Sequence, residues 1–237
     1  MLLALVLVAV AEEQRVVYDV FIGKEDVGDR ELAIRYLPRD DGERRVISLV
    51  STATTPLGAM SARASAQSGP RGASFTTSQK LGESLSQVQG VLLPDGGWQI
   101  VRSDATGVYE STLSAEQVRM TTLDVYDPGR ARLLTVPGRI HLLVAETAEM
   151  ADGNLLAPEE VSVKIDGKTI TATRCTIEED GEKFNFYFDA EMVLLRSDFY
   201  LYGAQITTKV RTLPEPRNYG TIEAIASPGA GIKEAEL

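Results

Sequence analysis

The stretch from Val161 to Leu213 constrains this chain most, because its strands alternate and are separated by turns that leave few other choices. Asp166-Gly167 and Asp180-Gly181 read as two-residue hairpin turns, whose central positions need positive φ, which Gly adopts without steric cost. Successive side chains of a strand point to opposite faces. Phe184, Phe186 and Phe188 therefore share one face, with Asn185, Tyr187 and Asp189 on the other. The following strand sets Leu195, Phe199 and Leu201 against Arg196, Asp198, Tyr200 and Tyr202. Such a segment forms an antiparallel meander. Alternation alone leaves open which of its faces is inside.

The rest of the chain reads the same way. Val16, Tyr18, Val20 and Ile22 alternate ahead of a turn expected around Gly23 to Gly28, and Arg30 to Tyr36 completes the hairpin. Asp40-Asp41-Gly42 turns the chain into a β-branched strand from Arg45 to Thr54. Ser61 to Ser68 is small and polar, which suits an edge strand or a loop. Phe75 to Val91 suits a solvent-facing pair of strands, and Pro94-Asp95-Gly96-Gly97 forms the tip of the next hairpin, with Trp98 capping the core beyond it. Ser114 to Gln117 has the spacing of a capping box, but the β-rich run after it allows one helical turn at most. Asp127-Pro128 is the stronger helix start, with Asp as N-cap and Pro at the first position, and predicts a short helix to about Leu134. Arg139 to Ala148 fits strand or helix, and Val136 to Gly153 reads as the crossover between two β halves. The fold class expected is all-β: a single large curved antiparallel sheet, half-barrel or barrel-like, with one short helix in a crossover.

At 237 residues the chain is long enough to bury a sizeable core as one β domain, here placed at residues 12–215. The net charge of -10 sets it against nucleic acid, whose phosphates such a surface repels. Met1 to Ala11 is apolar and too short for a bilayer core that takes roughly 20 helical residues. Ala9-Val10-Ala11 has the small-x-small form of a signal-peptidase site, so residues 1–11 read as the end of an export signal. No Lys or Arg precedes Arg15; either the start lies upstream or the amine supplies the positive charge. Residues 216–237, rich in Pro, Gly, Ala and charge, read as a flexible tail.

Groups for chemistry are sparse. His141 is the sole histidine and Cys175 the sole cysteine. His141 sits in the apolar run Ile140 to Val144 and reads as a satisfied structural residue, and Cys175 as a small apolar core residue. The carboxylate groups Asp40-Asp41, Glu159-Glu160 and Glu178-Glu179-Asp180 fall at expected turns, where acidic residues serve solvation and turn geometry. Asp40 to Glu43 lacks the ligand spacing of a calcium loop. No catalytic residue, metal or cofactor is therefore assigned. What stands out is bulk on both faces of the meander. A sheet with one wet face alternates more cleanly. Two covered faces imply a sandwich, or a sheet curved around something apolar.

The hairpin Tyr18-Asp-Val-Phe-Ile-Gly-Lys-Glu-Asp-Val-Gly28 and the pattern Phe188-Asp-Ala-Glu-Met-Val-Leu-Leu195 resemble the two ends of a family of uncharacterised exported bacterial proteins. These are similar in outline to the periplasmic lipoprotein-carrier half-barrels, in which a curved antiparallel sheet surrounds an apolar cavity. The chain departs from the family at Met192, where Gly is frequent. The resemblance implies a periplasmic or otherwise exported monomer that binds a hydrophobic small molecule or lipid. Phe184, Phe186, Phe188, Phe199 and Leu201 are the candidate lining. The alternative is a non-catalytic structural or protein-interaction module of the envelope, docking an envelope partner through a sheet edge. Export through the Ala9-Val10-Ala11 site gives a mature chain starting at Glu12. Intact mass of protein recovered from the envelope checks this, and a retained Met1 refutes it.

Overall fold

The computed structural model describes residues 12–55, 58–201 and 204–213; the signal-like segment and the tail lie outside the described residues, as does the side chain of Leu201. The first half is a long meander of eight strands: β1 (Glu12–Ile22), β2 (Glu25–Arg39), β3 (Gly42–Thr55), β4 (Gly58–Gly69), β5 (Gly72–Leu81), β6 (Ser84–Leu92), β7 (Trp98–Asp104) and β8 (Gly107–Leu113). A short β9 (Met120–Thr121) leads into a 3-10 turn over Thr122–Tyr126, a one-turn helix α1 (Pro128–Ala131) and a second 3-10 turn over Arg132–Thr135. The second half runs β10 (Gly138–Val144), β11 (Glu149–Leu155), β12 (Glu159–Ile165), β13 (Lys168–Glu179), β14 (Glu182–Phe188), β15 (Leu194–Leu201) and β16 (Ala204–Val210).

All sixteen strands belong to one sheet. Its order is β8-β7-β6-β5-β4-β3-β2-β1-β16-β15-β14-β13-β11-β10-β9, with β12 also paired to β13. The halves join where β1 pairs β16, Tyr18 opposite Val210 and Ile22 opposite Ile206. Every pairing is antiparallel except that of β9 with β10. The expected curved antiparallel sheet is what forms.

Both Asp-Gly turns have positive φ at both central residues: Asp166 at 48° and Gly167 at 74°, Asp180 at 49° and Gly181 at 84°. Right-handed strand twist favours this turn. Five readings need correction. Phe75 to Val91 is not a solvent-facing pair, because one face of β5 and β6 is turned to the core, with Phe75, Thr77 and Val88 buried. The first turn is confined to Gly23-Lys24; a bulge between Val20 and Phe21 absorbs the extra residue, so β2 starts at Glu25 and includes Gly28. Ser61 to Ser68 belongs to β4, a central strand paired on both sides, because its small inner residues Ala62, Ala64 and Ala66 leave room for what lies inside the sheet. Arg139 to Val144 is strand, and β10 with β11 makes a hairpin rather than a crossover. The helical crossover lies earlier, between β8 and β10, with its N-cap at Asp127 as expected.

That crossover fills the concave side of the sheet. Met120, Leu123, Ala131 and Leu134 are 1% exposed or less, and they share one cluster with Tyr18, Ile34, Ile100, Cys175 and Phe188 from both halves. Burying a Leu-sized side chain contributes about 1.5–3 kcal/mol relative to leaving it exposed, so this segment holds the two halves together. Further contacts fix its position. The Tyr18 ring meets that of Tyr126 edge to face at 6.4 Å, and its hydroxyl donates to the Leu194 carbonyl at 2.9 Å. Thr77 on β5 donates to the carbonyl of Ala145, after β10, at 2.8 Å.

Asp127 is the polar pin. It is 1% exposed, accepts from the Gly129 and Arg130 backbone N–H groups, takes a hydrogen bond from Ser68 and lies 2.5 Å from Arg45 Nε. The Arg45 Nε–H is not aligned for a hydrogen bond, so the contact holds by charge. The guanidinium lies so close over Gly129 that a Cβ there would come within 2.5 Å of it. Removing one partner of a buried ion pair leaves the other uncompensated. Asp127→Ala is expected to destabilise the fold by on the order of 3 kcal/mol. Asp127→Asn, which still caps the helix, is expected to cost less; urea midpoints of the two variants check the order.

Candidate functional site

The filled interior decides where a ligand can go. Phe184, Phe186 and Phe188 share the inner face with Cys175 and Ile177, their partners or near-partners on β13. Register then sorts the inner residues of β1, β16, β15 and β14 by depth. The deepest level, Tyr18, Val210, Leu195 and Phe188, is 1% exposed or less. The next holds Val20, Thr208, Ser197 and Phe186; Val20, Thr208 and Ser197 are buried and Phe186 half-buried. The outermost holds Ile22, Ile206, Phe199 and Phe184, all half-buried. Phe184 stacks on Phe199, ring centroids 6.2 Å apart and planes at 23°.

Of the residues predicted to line a cavity, Phe184 and Phe199 are thus in contact at the open end, and Phe186 stands one level deeper. Phe188 is fully buried in the core, where it packs and has no surface to offer a ligand. Leu201 continues β15 beyond Phe199. Ile22 and Ile206 complete the apolar row, and sequence reasoning had placed neither in the site. The alternation of Ile22 with Val20 and Tyr18 was visible, but only the β1–β16 pairing brings it beside Phe199.

On the other side of β1 the inner face is narrow in side chain. Level with Val20 on β2, β3 and β4 stand Gly28, Ala53 and Met60. A Cβ on Gly28 would lie 2.0 Å from the Thr52 carbonyl oxygen, and its φ is 159°, so this position is closed to larger residues. Deeper on the same wall Arg30 faces inward, opposite Tyr18 in register, and donates from Nε to Ser51 at 2.8 Å.

The groups that a catalytic reading would call on are engaged separately. His141 Nδ1 lies 2.6 Å from Asp152 Oδ1 across the β10–β11 hairpin, and that contact holds the Asp152 carboxyl below its ordinary range. His141 is therefore satisfied, though on a more exposed hairpin than its apolar run implied. Cys175 is fully buried, and burial pushes its thiol up to about 11, far from the thiolate needed for reactivity. Asp40 and Asp41 occupy a turn, where Asp41 pairs with Arg71 at 2.6 Å. Among the described residues no three metal-capable side chains cluster.

The loop from β14 to β15 shows the physical reason for the glycine expected at Met192. Asp189 accepts from the backbone N–H groups of Glu191 and Val193, both at 2.9 Å, and the turn drives Met192 to φ 65°. Burial of Asp189 raises its carboxyl above the ordinary range, against those hydrogen bonds. Met192 accepts the left-handed conformation while 7% exposed, so its side chain offsets the backbone strain by packing. Met192→Gly removes roughly 1 kcal/mol of strain but forfeits a buried side chain worth about 2–5 kcal/mol. Met192→Ala keeps the strain and loses most of the packing. Both variants are expected to melt below the wild type, with Ala lower than Gly; thermal denaturation tests that order.

No family model matches the chain, and no curated protein matches it. Among solved structures it is similar to the beta-barrel-like protein of a domain of unknown function, DUF1849, from Brucella abortus. The TM-score is 0.54 at 10% identity, over 84% of this chain and 96% of that one. That likeness shows the fold: a barrel-like sheet.

Proposed function

We propose that this is an exported protein of the cell envelope that holds a hydrophobic, lipid-like molecule at the open end of its curved sheet. The observation that carries the reading is the half-buried apolar row of Ile22, Ile206, Phe199 and Phe184, with Phe184 stacked on Phe199. A core would bury these side chains fully, and a wet face would not gather them. Their position on the inner face, beside a wall of Gly28, Ala53 and Met60, gives them the concave surroundings that apolar ligand sites use. The crossover segment occupies the deeper space, so the ligand is a short apolar chain or the end of a longer one. The apolar N-terminal segment with its Ala9-Val10-Ala11 pattern supports an envelope location.

A specific observation also favours the interaction module. β8 pairs only with β7 among the described strands, and Val108 and Tyr109 on it are 66% and 51% exposed. An unpaired edge with bulky side chains is a template for a partner strand.

Native mass spectrometry of the protein from its own envelope, with titration of a fluorescent fatty acid, separates the two readings. The ligand reading expects a bound mass and saturable uptake, weakened about five- to tenfold by Phe199→Ala, the worth of one aromatic contact near 1 kcal/mol. A ligand-free mass with no uptake sinks it. The module reading instead expects a co-purifying protein that is lost when a proline is placed in β8.

A further inference from the structure

A hollow of ≈ 380 Å³ lies between the hairpin β7–β8 and the turn that joins β10 to β11. Ile100 and Arg102 line it from β7, Tyr109 and Ser111 from β8, and Thr106 from the turn between them, while Thr147 and Ala148 close the far side. Ile100 stands opposite Ser111 and Arg102 opposite Tyr109, so the four strand residues share one face of the hairpin. None of β1, β14, β15 and β16, the strands of the apolar rim, contributes to it. Its volume is within the range of small-molecule sites, roughly 300–1,000 Å³.

The charges beside this hollow are balanced from within. Arg102 Nε donates to Asp104 Oδ2 at 2.9 Å, Nη2 lies 2.8 Å from the same oxygen, and Nη1 donates to the Thr147 carbonyl at 3.4 Å. The other Asp104 oxygen accepts from the Thr106 hydroxyl and, at 2.8 Å, from the Thr106 N–H. The Thr106 contacts, with Arg102 adding to them, hold the Asp104 carboxyl below its ordinary range. Tyr109 extends the relay, its hydroxyl donating to Thr106 Oγ1 at 2.9 Å. Its side chain stands on a strand paired on one side only and is 51% exposed, yet the far end of its ring is tied down. The freedom that an exposed side chain loses on binding is thus already spent. The far side is fixed too: the Ala148 N–H donates to the Val144 carbonyl at 2.8 Å, with Ala148 held at φ 63°.

This arrangement selects the chemistry of an occupant. An ion of either sign meets a like charge in the Arg102–Asp104 pair, each of which already has its partner. An apolar molecule would strip water from the guanidinium and the hydroxyls and give them no hydrogen bond in return. A neutral molecule that carries hydroxyls around an apolar C–H face satisfies both conditions, since such a face suits the electron-rich side of an aromatic ring. We propose that the hollow binds a neutral sugar ring, packed on Tyr109 and hydrogen-bonded to Arg102, Ser111 and the Thr147 carbonyl. It depends on neither reading above.

Titration of the 15N-labelled full chain with glucose, galactose and N-acetylglucosamine, followed by amide chemical shifts, tests this. Glucuronate and galacturonate serve as the charged counterparts of the first two. At least one neutral sugar is expected to saturate, with the shifts centred on Thr106 to Ser111 and on Thr147 and Ala148. The uronates are expected to bind there at least about tenfold more weakly, the worth of one uncompensated charge contact. Tyr109→Ala is expected to weaken the neutral sugar about fivefold through loss of the ring. Absence of those shifts with all three neutral sugars overturns the site. A uronate that binds as tightly as its neutral counterpart, or an affinity unchanged by Tyr109→Ala, overturns the assignment of a neutral ring on Tyr109. Should Tyr109→Ala disturb the hairpin, Tyr109→Leu keeps the bulk and removes the aromatic face, and is expected to weaken binding likewise; an unchanged affinity counts against the site.

Discussion

A sheet curled this far must fill its own concave side, and here the chain does so with the segment between β8 and β10. Met120, Leu123, Ala131 and Leu134 provide the apolar contact, and the buried carboxylate of Asp127 fixes its orientation against Arg45 and Ser68. The two halves of the sheet share one ladder, β1 with β16, and one filling. Without the filling, the inner faces of β2 to β7 and of β13 to β16 would enclose apolar surface with no partner. The alanines of β4 belong to the same constraint, since larger side chains would occupy the space of the crossover.

The filling also explains the character of the open end. Because the crossover covers Tyr18, Phe188 and Leu195, the apolar residues left over are those farther along the same strands, Ile22, Ile206, Phe199 and Phe184. Thr208 and Ser197, level with Val20, stand between the two zones as a polar boundary, while Arg30 and Ser51 lie level with Tyr18. One inner surface thus changes from packed core to polar boundary to half-open apolar rim over a few residues of strand. Strand periodicity permits this, because alternate residues along one face can differ freely in chemistry while their backbones stay in register.

Much of the fold was legible along the chain. Asp166-Gly167 and Asp180-Gly181 announced their hairpins because positive φ at two successive positions has few sequence solutions. Asp127-Pro128 announced the helix because a cap and a fixed φ are local chemistry. The misreadings were all cases where a neighbouring strand decided. Ser61 to Ser68 looked peripheral by polarity, yet its place between β3 and β5 depends on how little space the crossover leaves. Arg139 to Val144 was ambiguous until β11 paired with it. Of the candidate site, the three meander phenylalanines were visible in the pattern, but their unequal depths were not.

By itself, then, the sequence determined local matters: strand alternation, turn positions, the helix cap and the all-β class, each set by residues a few positions apart. Tertiary structure alone decided which face of the meander is inside, that the concave space is filled, and that Phe188 is core while Phe199 is rim. It also set Arg30 on the same inner surface as Phe199, although 169 positions of sequence separate their numbers, 30 and 199. Those outcomes follow from strand order and from the volume of a distant segment, and no window along the chain contains either.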